Sequence, residues 1–161
     1  MEGPEFITLT FRLAADHREI DRLFRDAMAA MGRSHRLDAH ALLDRIWMRL
    51  AVHIRAEHKA VFPVLAEARP DLGIHLQTLR EDHDFFMASL AGAVKVMQDP
   101  LPDFASTREG VEAVRLRLIS HNALEEELIY PAVDQLSHEQ QVRVIGDVSR
   151  ELTFLPKRYG P

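Results

Sequence analysis

The 161-residue chain contains no cysteine. That single absence excludes a disulfide framework, thiolate catalysis, iron–sulfur ligation and cysteine-built zinc sites. It fits a reducing compartment, and the chain reads as soluble and cytoplasmic. Glycine is scarce at seven, tryptophan occurs once, and β-branched alternation is nearly missing, so the turn-rich patterning of a sheet protein is not there. No run of lysine and arginine forms the basic stripe that a nucleic-acid partner requires. No apolar run approaches the length of a membrane span. The first ten residues carry acids rather than a basic leader, so no secretory signal is expected.

What remains has the profile of a folded globular chain: 47% hydrophobic, 28% charged, with a formal net charge of −5. At this length a single domain over residues 1–161 can bury its own core. The surplus lies in the histidines, of which there are nine.

Helical periodicity dominates. Apolar spacing predicts helices over residues 8–31, 38–68, 72–97 and 106–134, the first carried by Leu9, Leu13, Ile20, Leu23 and Phe24. Pro63 lies inside the second and is expected to kink or shorten it, because it removes a backbone donor and crowds the preceding turn. Ser137 to Gln140 reads as a capping box opening a fifth helix to about Leu152, and the tail from Phe154 to Pro161 is expected to dock loosely. The expected fold is all-α: an up-down-up-down four-helix bundle over residues 8–136, with a short C-terminal fifth helix and tail over 137–161.

The chain also repeats itself. His53-Ile54-Arg55-Ala56-Glu57 and the Phe62-Pro63 that follows align with His121-Asn122-Ala123-Leu124-Glu125 and Tyr130-Pro131, 68 residues on. One helix earlier, Asp16-His17 aligns with Asp82-His83, 66 residues on. The unit is a helix pair with one histidine on its first helix and His-x-x-x-Glu on its second. At about 100° per residue, positions i and i+4 share a helix face. These faces are apolar: Leu50 and Val61 flank the first motif, Leu118 and Ile129 the second. Four imidazoles and two carboxylates therefore point inward, and two buried carboxylates are costly without compensation. A lone inward histidine also reads as a hydrogen-bonded core residue, and one His-x-x-x-Glu arises readily by chance. Two, with matched followers and matched partners, point to a pair of metal ions held by imidazole and carboxylate.

This pattern resembles the hemerythrin-like, or HHE cation-binding, domain family, over roughly residues 8–136. The resemblance implies a four-helix bundle around two non-haem iron ions. His17, His53, His83 and His121 would be terminal ligands, Glu57 and Glu125 would bridge, and an oxo or hydroxo group would complete the centre. Oxygen-carrying hemerythrins have a fifth histidine one turn from another on the third helix. Here Leu79 and Met87 stand at those places beside His83, which leaves open positions on the irons.

His58, next to Glu57, reads either as an extra ligand filling one such position or as an interface histidine. Tyr130 reads as packing or as a phenol that bonds an oxygen species at the centre. Asp21 is a candidate acceptor for the His17 ring or part of a solvated face. Glu126 is either solvated or a further carboxylate near the site. His35, His40, His75 and His138 fall outside the motif and are expected at the surface.

The resemblance and the open positions favour decomposition of hydrogen peroxide, a catalase-type oxidoreductase activity. Absence of cysteine suits an oxidant-handling chain. The alternatives are reversible binding of O₂ or nitric oxide, as carrier, scavenger or sensor, and an iron homeostasis module.

Overall fold

The computed structural model describes residues 6–154, all of whose regular structure is helical. Helix α1 (Leu9–Gly32) starts at Thr8, whose hydroxyl accepts from the Phe11 N–H. The Asp134 carboxylate, from the far end of the sequence, accepts from the Leu9 N–H at 3.0 Å and from the Thr10 hydroxyl, which ties the two ends together. Ser34, at φ 56°, takes the left-handed conformation that turns the chain into α2 (Arg36–Ala56).

Proline does not break the second helix. It continues from α2 through one π-helical turn, Glu57–Val61, into α3 (Phe62–Ala68). In that turn the Phe62 N–H reaches the Glu57 carbonyl, five residues back. Pro63 then sits in the first turn of α3, where a missing N–H costs least. A single 3₁₀ turn, Pro70–Leu72, leads to α4 (Gly73–Val96). Helix α5 (Phe104–Leu124), capped by Asp103, repeats the device: a π turn over Glu125–Ile129, then α6 (Tyr130–Asp134) with Pro131 in its first turn. The capping box at Ser137 and Gln140 is present and opens α7 (His138–Leu152). Of the expected tail, only Phe154 lies within the described residues; it is exposed, 5.5 Å beneath the Arg55 guanidinium.

The bundle packs α1 on α2 and α5, and α4 on α2 and α5. Its apolar interior forms two clusters. One holds Ile20, Phe24, Leu43, Ile46, Phe86 and Val114; the other holds Leu13, Phe62, Leu79, Ile129, Tyr130 and, from α7, Val144 and Val148. On α1, His17 falls between Leu13 and Ile20; on α4, His83 falls between Leu79 and Phe86. The polar residues therefore form one layer between two hydrophobic ones. Among the described residues, no helix is long and apolar enough to cross a membrane.

Candidate metal centre

All six residues of the repeated motif are buried: His17, His53, His83, His121, Glu57 and Glu125. α1 and α2 supply His17 and His53, whose Nε2 atoms stand 3.1 Å apart. α4 and α5 supply His83 and His121, with Nε2 atoms 3.2 Å apart. The glutamates open the two π turns and lie between these pairs. Glu57 Oε1 is 3.4 Å from both His53 Nε2 and His83 Nε2. Glu125 Oε1 is 3.3 Å from His17 Nε2 and 3.2 Å from His121 Nε2. Each carboxylate thus touches one imidazole of each pair.

The other ring nitrogens are held from behind. His53 Nδ1 donates to Asp16 at 2.7 Å, His121 Nδ1 to Asp82 at 3.0 Å, and His17 Nδ1 to Glu126 at 3.1 Å. Each of the two aspartates is gripped in turn by an arginine, Arg49 on Asp16 at 3.0 Å and Arg117 on Asp82 at 2.6 Å. A carboxylate accepts only from an N–H, so these contacts fix the ring proton on Nδ1 and turn the Nε2 lone pair inward.

This geometry tests whether a cation fits. Neutral imidazoles so held bring the lone pairs of His17 and His53 face to face at about the distance of a hydrogen bond. Glu57 Oε1 and both Glu125 oxygens, fully buried, find no hydrogen-bond partner among the described residues. A positive charge between them answers both defects, and the donor set of nitrogen and oxygen suits iron, manganese or zinc. His17, His53 and Glu125 form one group that could hold an ion, and His83, His121 and Glu125 another.

Without metal, protons take that part. Burial pushes His17 down, but its contacts with Glu125 and Glu126 outweigh it and raise the ring to about 10. His53 is raised in the same way against burial by Glu57 and Asp16, and His121 by Glu125, Glu57 and Asp82. Burial, reinforced by Glu125, pushes Glu57 above the ordinary carboxylate range.

Tyr130 comes into the layer itself. Its hydroxyl donates to Glu57 Oε2 at 2.9 Å and lies 3.2 Å from His17 Nε2 and 3.3 Å from His53 Nε2. Burial first, then the two glutamates, push its phenol well above the usual value. His58 meets His83 at Nδ1, 2.8 Å away, the nitrogen that does not face the cluster. Burial beside His83 and Arg80 lowers His58 to about 4.

Glu126 belongs to the site's surround, through His17. Asp21 does not: it pairs with Arg25 at 3.1 Å and Arg115 at 3.2 Å. The imidazole acceptors are Glu126 for His17, Asp16 for His53 and Asp82 for His121; the repeat aligned the two aspartates, but sequence reading gave them no role. Arg49 and Arg117 were missed altogether, although each stands four residues before its histidine, so the repeat extends to Arg-x-x-x-His-x-x-x-Glu. His35, His75 and His138 are exposed as expected; His40 is half-buried, with its Nε2 shut off from solvent.

The family model of the hemerythrin HHE cation-binding domain matches residues 8–133. The chain belongs to this family. No curated protein and no solved structure matches it. Membership and the His/Glu cluster together make this hemerythrin-like chain a non-haem iron-binding protein.

Proposed function

We propose that this hemerythrin-like protein holds two iron ions, one at His17 and His53 and one at His83 and His121, bridged by Glu57 and Glu125, and that it decomposes hydrogen peroxide to water and O₂. The observation that carries the reading is that each buried carboxylate touches an imidazole from both pairs while its inward oxygens lack a hydrogen-bond partner. In this reading the chain is one domain whose bundle runs up-down-up-down. α7 is part of it, as Val144 and Val148 share an apolar cluster with Leu9 and Leu13.

When bound, the iron pair supplies the redox couple: one peroxide gives up two electrons and two protons as O₂, and a second takes them up as two waters. The chain's own residues do the rest. Asp16, Asp82 and Glu126 fix three imidazoles in one tautomer and one orientation. Tyr130 keeps its proton at Oη, beside Glu57, and offers it to an oxygen atom entering there. Phe62, Leu79 and Ile129 on one side, and Phe86 and Leu118 on the other, exclude bulk water. His58 and Glu126, both half-buried, form the water-facing edge and serve as supports rather than ligands.

Leu79 and Met87 favour peroxide chemistry over oxygen carriage, since neither position one turn from His83 on α4 carries a histidine to fill an open position. The test is O₂ evolution from peroxide by the iron-loaded protein, with His53→Ala and Glu125→Ala as controls. Turnover that both variants lose supports the reading. Absence of turnover, with a new absorption band on adding O₂ or nitric oxide, transfers it to reversible gas binding. Iron that loads and unloads without either behaviour transfers it to iron homeostasis.

A further inference from the structure

The repeat builds two half-sites that match in most of their parts. Arg49–Asp16–His53 on one side has its counterpart in Arg117–Asp82–His121 on the other, with the same order of contacts. The halves differ behind their remaining histidines. Glu126, a carboxylate, takes the Nδ1 of His17 at 3.1 Å. At the equivalent place, 68 residues earlier, His58 meets the Nδ1 of His83 at 2.8 Å. The next turn differs too: Tyr130 brings a hydroxyl to the first half, whereas the Phe62 ring lies parallel to that of His83, 5.9 Å away.

A carboxylate behind an imidazole makes its other nitrogen a stronger donor and adds negative charge to the site. An imidazole in the same place accepts the bond only when uncharged, and adds none. We propose that Glu126 and His58 are positioning residues that make the two half-sites unequal, so that divalent metal enters the His17–His53 half first and the His83–His121 half second. This rests on the two-metal reading above.

Cobalt(II) titration of the metal-free protein, followed by visible absorption and calorimetry, tests it without any turnover. Repulsion between two cations separates the steps even in a symmetric centre, so the variants carry the test. Two steps are expected, with Glu126→Gln weakening the first alone by about 10–100-fold. His58→Glu is expected to tighten the second alone by a similar factor and bring the two steps together. Circular dichroism of the metal-free variants checks that the helices persist. If Glu126→Gln does not fold, His58→Glu decides by whether the weak step tightens. Variants that move both steps equally, or neither, overturn the proposal. Cobalt that does not bind, or that binds as well after His53→Ala, overturns the metal reading itself.

Discussion

Asp16 accepts from His53 Nδ1 at 2.7 Å and binds Arg49 at 3.0 Å, so a buried cation and an inward-facing imidazole depend on one carboxylate. Burial works against its charge, but His53 and Arg49 outweigh it and hold Asp16 far below the ordinary carboxylate range. Asp16→Asn keeps the shape and removes the charge. Metal affinity is expected to fall by about 10–100-fold, as the ring loses the partner that fixes its tautomer. Stability is expected to fall by about 3–5 kcal/mol, because Arg49 remains buried without a counter-charge. Cobalt titration and denaturant unfolding measure the two effects separately.

Tyr130 and Phe62 occupy equivalent places in the repeat, so the protein already accommodates a phenylalanine of this geometry next to a π turn. Tyr130→Phe removes one hydroxyl and leaves Glu57 Oε2 without its donor. The expected loss is about 1–3 kcal/mol in the metal-free protein, from a buried acceptor left unpaired. If Tyr130 supplies a proton during peroxide decomposition, turnover falls by about 10²-fold or more while iron content stays unchanged. An unchanged rate would assign Tyr130 to packing.

The helices and the six inward residues were legible because both follow from spacing: a 3.6-residue period and i, i+4 neighbours are properties of a single helix. Pro63 signalled a disturbance of the second helix but not its form: the chain opens a π turn at each motif glutamate and then resumes as α-helix, and no local rule signals that. The supports behind the imidazoles were not legible either. Asp16 reaches His53 from another helix, and Glu126 reaches His17 across 109 positions, so only packing decides which of several acids does so. Asp21, a turn from His17, was the candidate nearest in sequence, and it faces Arg115 instead.

The raised imidazoles make the metal-free protein sensitive to alkali. His17 has an ordinary value of 6.5 and about 10 in the folded chain. A group raised on folding adds stability that is fully present below its unfolded value and is lost as pH climbs through its folded one. His53 and His121 shift in the same direction. The Tm of the metal-free protein is therefore expected to decline between about pH 6.5 and pH 10. Thermal melts across that window check it; a Tm that rises there would contradict the assignment.

Metal removal should soften the fold without abolishing it. The two apolar clusters enclose the polar layer from both sides and hold the helices together whether or not a cation lies between them. Chelated protein is thus expected to stay helical by circular dichroism, unlike a small zinc domain that unfolds without its ion. What it loses is the linkage term: metal free at 100 times its Kd stabilises the native state by about 2.7 kcal/mol. For a chain of this size that corresponds to roughly 5–10 °C in Tm. Glu125→Gln should remove most of that gain, because Glu125 is common to both groups of ligands and its loss weakens both ions at once. Scanning calorimetry with and without chelator, on the parent chain and on this variant, measures the difference; an equal metal-dependent shift in both would place the stabilising ion elsewhere.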